Sequence, residues 1–155
     1  MPNPPFLSQF RRRLVQLRKN AAAPERLARE KGRLHAFRVA LKHWRAYLRL
    51  LRDADPTFPY PEVYAPFKPL FAKAGTIRFW QLQEALLEKI PGDTEDFSRF
   101  YQKYIRRQRQ KARKAFQKKL RKTDLPKWSD LQAELRLSVE KCSEETIRAY
   151  FFSLQ

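Results

Sequence analysis

Between residues 34 and 51 the apolar side chains Leu34, Phe37, Leu41, Trp44, Leu48 and Leu51 recur every three or four positions, a spacing that an α-helix turns to one side. A strand would scatter them over both faces. At about 100° per residue, His35, Arg38, Lys42, Arg45 and Arg49 fall within about a quarter of the same helix, and Lys31 extends the row by one turn. The row is centred about 90° to 110° from the apolar stripe, so the cations border the buried face instead of lying opposite it.

A basic row on a helix is most often a solvated surface. Such surfaces mix signs and place Glu one turn before Lys or Arg for pairing. Here no Asp or Glu occurs from Lys31 to Arg52. Cations in register repel one another unless an outside anion joins them, and a row of this length suits an extended polyanion better than a small one. The charge of the whole chain has the same distribution. Of a net +18, residues 11–52 hold 14 basic and 2 acidic residues and residues 99–122 hold 12 basic and none acidic, while the remainder is acidic on balance. A polyanionic partner explains two such blocks better than general solubility does.

The order His35-x-x-Arg38-Val39-x-x-Lys42-x-x-Arg45 resembles the signature of CHAD domains, α-helical domains that bind inorganic polyphosphate. A second stretch, Lys68 to Gln83, with Gly75 and then Arg78 among apolar residues, resembles the next segment of those domains. The resemblance covers residues 6 to about 141. It implies an all-α fold, with His35, Arg38, Lys42, Arg45 and Arg49 as the primary phosphate contacts. Two positions depart from the pattern: His43 stands where Arg or Lys is usual, and Phe79 follows Arg78 where Asp is usual, which leaves Arg78 without its orienting carboxylate. Members usually carry two such repeats about a pseudo-twofold axis, and this chain carries one. The resemblance therefore implies a homodimer, in which Val39, Tyr47 and Leu50, off the main stripe, and Tyr150, Phe151 and Phe152 supply the contact.

Read in order, the chain predicts a helical bundle of about four long helices plus short C-terminal helices, a single domain over residues 1–155 resembling one CHAD repeat. Three glycines and few β-branched runs argue against sheet. A first helix is predicted over 6–20, and Pro24 is placed at the first position of a second that runs unbroken to about Asp53. Asp53-Ala54-Asp55-Pro56-Thr57-Phe58-Pro59-Tyr60-Pro61 cannot continue it. A third helix starts near Pro61 or Pro66 and ends at Ile90, weakened by Pro69 and Gly75, where a kink or the close approach of a neighbouring helix is expected. Pro91-Gly92 stops it, and Asp93 or Thr94 caps a fourth helix to about Thr123. In that helix Tyr101, Tyr104, Ile105, Ala112, Phe116 and Leu120 are expected inside, with a second basic stripe that includes Lys103, Arg106 and Arg113. Helices over 128–142 and, capped by Ser143, over 144–154 complete the chain.

The basic blocks contain neither the carboxylates that would hold Mg²⁺ nor a nucleophile with an adjacent base, and Gly-x-x-x-x-Gly-Lys is absent. His35 and His43 are turned by about 80° from one another with no third ligand on their helix. The expectation is a non-catalytic binder with no cofactor. Nucleic acid is the rival partner, because counterion release rewards any dense row of cations. Base recognition needs exposed readers or stacking aromatics, and the aromatics here fall mostly at core positions, so weak nonspecific RNA or DNA binding is expected only as a side activity. The lone Cys142 excludes an internal disulfide, no apolar run makes a signal peptide, and none approaches a membrane span. A cytoplasmic protein at polyphosphate granules is the expected setting. The contacts expected are Lys31, His35, Arg38, Lys42, Arg45 and Arg49, with Lys103, Arg106 and Arg113 in support.

Overall fold

The computed structural model describes residues 4–90, 95–143, 145, 146 and 149, the side chains of 4–6 and 95 excepted. These residues form seven α-helices: α1 (Pro4–Ala21), α2 (Pro24–Arg29), α3 (Lys31–Ala54), α4 (Tyr60–Tyr64), α5 (Lys68–Leu87), α6 (Glu95–Lys122) and α7 (Trp128–Glu140). No strand occurs among them. The fold is all-α, with α1, α3, α5 and α6 as the four long helices. The expected caps Asp93 and Thr94 lie outside the described residues, as do Tyr150, Phe151 and Phe152. Ser143 does act as a cap: its Oγ accepts the Thr146 backbone N–H at 3.0 Å.

The predicted second helix is two helices. Pro24 begins α2 as expected, but Glu30 adopts an extended backbone (φ −80°, ψ 112°) and closes α2 after one and a half turns. Its carbonyl then accepts the Leu34 N–H at 3.0 Å, and its carboxylate pairs with Arg26 behind and Arg33 ahead. Glu30 thus serves both helix ends, and Gly32 just beyond lowers the cost of interrupting the helix there. The predicted third helix is likewise divided. Pro59 and Pro61 start the short α4, and α5 begins only at Lys68 and ends at Leu87, three residues before Ile90.

The contacts divide the chain into two compact units, one of Met1–Lys19, Val39–Phe67 and Asp124–Gln155, the other of Asn20–Arg38 and Lys68–Thr123. Helix α3 contributes to both, its residues up to Arg38 to the second and those from Val39 to the first.

In the first unit Trp44 is wholly buried, with the Phe10 ring edge-on at 5.8 Å and Phe67 at 5.5 Å. Tyr47 packs on Phe10 at 5.1 Å, and Leu50 is buried. Leu50 is therefore not spare surface for a second copy, Tyr47 is partly used against Phe10, and Val39 is half-buried. The turn after α3 is held by Asp55. Its buried carboxylate accepts the Thr57 N–H at 3.1 Å and the Thr57 hydroxyl at 2.6 Å, the Ser138 hydroxyl of α7 at 3.0 Å, and the ammonium of Lys141, just past the end of α7, at 2.9 Å. These donors, the Thr57 hydroxyl first and Lys141 next, hold the carboxyl well below the usual range. Cys142 is half-buried beside this group, and burial first, then Asp55, push its thiol up.

In the second unit α5 and α6 pack on one another and α2 packs on α6. Phe37 of α3 meets Phe116 edge-on at 6.1 Å, over a core that includes Leu70, Ala74, Ile77 and Ile105. Ion pairs Glu84–Arg109 and Glu25–Arg121 tie α5 and α2 to α6.

Candidate functional site

The cationic row lies on one face of α3 as its spacing predicts. Lys31, His35, Lys42 and Arg49 are exposed, and Arg38 and Arg45 are half-buried. The two half-buried members differ in what surrounds them.

Arg38, in the second unit, lies with its guanidinium 5.2 Å from the centre of the Phe71 ring and over Gly75. A β-carbon at Gly75 would sit 3.8 Å from Arg38 Nη2 and 4.0 Å from Cζ, an ordinary contact. The space beside this glycine is thus bordered by the Arg38 side chain and not by the close approach of a neighbouring helix. Arg38 Nε is buried without a hydrogen-bond partner. Burial first, and then the neighbouring Arg78, weaken its hold on its proton. Arg78 in turn donates to Gln81 Oε1 in a long 3.4 Å bond, so a neutral amide one turn along α5 stands in for the absent carboxylate at position 79. Gln81 is buried and its Nε2 has no partner. The charge acting on Arg38 from its neighbour Arg78 is therefore positive. A half-buried cation without a counter-charge is costly, and an anion placed there relieves it.

Arg113 repeats the pattern on α6. Its Nε is buried and unpartnered, and burial first, then Arg109 and Arg29, lower its pKa, with Glu84 opposing them. Arg113 of α6 thus has the like-charged Arg109 and Arg29 for neighbours, and the one carboxylate acting on it, Glu84 of α5, is engaged by Arg109. Lys103 and Arg106 are exposed on α6. About the helix axis, Arg106 and Arg113 differ by only ~20°, whereas Lys103 lies ~60° or more from either. Lys103 instead lines a cavity of about 250 Å³ with Phe100, Tyr104 and Arg107.

In the first unit the Tyr64 hydroxyl lies within the influence of Arg45 and, more weakly, of Arg49, both of which favour its ionised form. Burial pushes this phenol up despite the two cations. His43 is held below the ordinary histidine value by partial burial first and then by Arg13, whose own Nε is buried and unpartnered. Among the described residues no group of three His, Cys, Asp or Glu side chains could hold a metal ion, and no helix is long and apolar enough to cross a membrane.

Sequence reasoning finds the α3 row but not Arg13, Arg29, Arg109 or Tyr64, which enter only through tertiary packing. Arg78 is legible as part of the second motif, and its neighbour Arg38 is legible in the first. Their meeting is not. One expectation is corrected: Tyr104 is exposed, as are Phe79, Phe97 and Phe100, so the aromatics are not confined to core positions. The structure gives α6 more apolar rings than one buried face accommodates.

The family model of the CHAD domain matches residues 8–149. The chain belongs to the CHAD domain family. Comparisons with curated proteins and with solved structures give no match.

Proposed function

We propose that the protein binds inorganic polyphosphate through the cationic face of α3 and does so without catalysing its turnover. The observation that carries this reading is Arg38: a half-buried guanidinium with an unpartnered Nε, whose charged neighbour is another arginine. A linear polyanion supplies repeated oxygens to such groups. The forks of Arg38, Arg45 and Arg49 grip phosphate in pairs of hydrogen bonds, Lys31 and Lys42 add point charges, and His35 adds a donor when protonated. Arg106 and Arg113, which share a face, extend the same reading to α6, whereas Lys103 lies off that face. Action in the cytoplasm, at polyphosphate granules, belongs to the same proposal.

A second reading has one observation in its favour. Phe97, Tyr101 and Tyr104 stack in series at 6.0 and 6.1 Å along α6, partly exposed and next to Lys103 and Arg107. Rings beside cations form stacking platforms for single-stranded nucleic acid.

Titration of long-chain polyphosphate into the protein, followed by calorimetry, tests the first reading. Affinity is expected to fall steeply with added salt. Arg38→Ala and Arg45→Ala are each expected to weaken binding with helicity intact, since neither belongs to the apolar stripe. Unchanged affinity in both variants, with intact helicity, would make the row a solvated face.

A further inference from the structure

Large apolar side chains left in water are unevenly distributed. In the first unit only Val15 of α1 and Leu137 of α7 are so placed among the described residues. In the second unit Phe79, Leu82 and Leu86 project from α5 and Phe97, Phe100 and Tyr104 from α6, with Phe100 70% and Phe97 65% exposed. Scattered apolar residues need no explanation, whereas a continuous patch does. Ring contacts make this one continuous. Phe79 meets Trp80 at 5.0 Å, Trp80 meets Tyr104 at 5.9 Å, and the α6 stack runs on from Tyr104 to Phe97.

We infer that this ridge of α5 and α6 is the surface through which two copies of the chain associate, with α6 crossing α6 antiparallel about a twofold axis at Phe100. The charges beside the ridge identify the occupant. Asp96, Lys103 and Arg107 lie on one flank of it, within about 40° of each other around the helix. All three are exposed, and neither Asp96 nor Lys103 has an ion-pair partner among the described residues. An axis at Phe100 makes the two Phe100 rings self-contacting and sets Phe97 of each copy against Tyr104 of the other. It also sets Asp96 of each copy against Lys103 of the other, because these two positions are nearly equidistant from it in sequence. An isologous contact requires such self-complementarity. Single-stranded nucleic acid fits the same surface less well, since Leu82 and Leu86 offer no face for a base and Asp96 repels phosphate. A surface for self-association is independent of whether polyphosphate is the ligand of α3.

Two chains of +18 repel, so association should strengthen as salt rises, opposite to phosphate binding. Equilibrium sedimentation of the full chain tests this at about 0.3 M salt, where screening acts within roughly 6 Å. The expected mass is twice 18.6 kDa, falling to 18.6 kDa in Phe100→Glu with helicity unchanged. Asp96→Lys and Lys103→Asp are each expected to raise the dissociation constant about tenfold, and their combination to restore it to within about threefold of the original. A wild-type mass of 18.6 kDa at every salt concentration overturns the inference. So does a combined variant that associates no better than either single one. RNA binding lost in Phe100→Glu with no change in mass would also overturn it, and would assign the ridge to bases.

Discussion

Asp55 and Arg38 are both charged groups drawn out of water, and the two units treat them in opposite ways. In the first unit Asp55 accepts from Thr57, Ser138 and Lys141, and its charge is matched within the fold. In the second unit Arg38 has an unpartnered Nε, an aromatic face and a like-charged neighbour. Satisfied groups of the first kind rigidify a fold. A group of the second kind costs stability unless something outside completes it, which is the behaviour of a binding site. Among the described residues the units differ in the same sense, with apolar side chains mostly covered in the first and a ridge left open in the second.

The largest effect that would sharpen this contrast is expected from Arg38→Met. Loss of a charge-assisted contact worth about 1.5–3 kcal/mol should weaken polyphosphate binding about tenfold to a hundredfold. The thermal midpoint of the free protein should hold or rise, because an apolar chain on Phe71 replaces an unpaired charge. Calorimetric titration and a melting curve on the same sample check both halves. A variant that binds normally but melts earlier would place Arg38 in the same structural class as Asp55.

Asp55→Asn should do the reverse, lowering the midpoint with affinity little changed. The sign of its pH dependence follows from the depressed carboxyl. The contribution of Asp55 is fully present above the unfolded value of about 3.9 and is lost as pH falls below it toward the folded value. Melting curves between about pH 2 and 7 should therefore show a flatter acid limb in the variant than in the parent.

The α3 row is legible because period 3.6 and the absence of acidic residues are properties of the sequence itself, and the all-α class follows from the same periodicity. The break at Glu30 is not legible. No proline marks it, and it rests on a backbone turn that Glu30 fixes through Arg26 and Arg33. The ridge escapes the sequence for another reason. On α5 apolar residues occur all round the helix, so periodicity alone cannot separate the buried Leu70, Ala74 and Ile77 from the exposed Phe79, Leu82 and Leu86. Leu50 misleads in the opposite direction, because a residue off one stripe can still be covered by a second neighbour. Asp55 lies in a turn that the prolines identify, but its partners Ser138 and Lys141, on and just past α7, are more than 80 positions away in sequence.

A smaller effect probes whether Glu84 acts as an internal counter-ion among Arg29, Arg109 and Arg113. Glu84→Gln keeps the size of the side chain and removes its charge, so polyphosphate affinity should rise about threefold to tenfold at low salt. A fall in affinity would show that Arg109 must be held by that carboxylate. The smallest effect concerns His35. His35→Ala should weaken polyphosphate binding about twofold to threefold at low salt, and unchanged affinity would make His35 a surface residue without contact to the ligand.

The central claim is that α3 presents a site for phosphates without bases, and direct competition tests it most closely. Labelled long-chain polyphosphate bound to the protein is displaced by unlabelled polyphosphate or by single-stranded RNA of equal phosphate content, in parent and Arg38→Met, at one salt concentration. The account predicts that polyphosphate displaces the label at least about tenfold more effectively than RNA, and that Arg38→Met removes most of this preference. Equal or better displacement by RNA, unaffected by Arg38→Met, would contradict it.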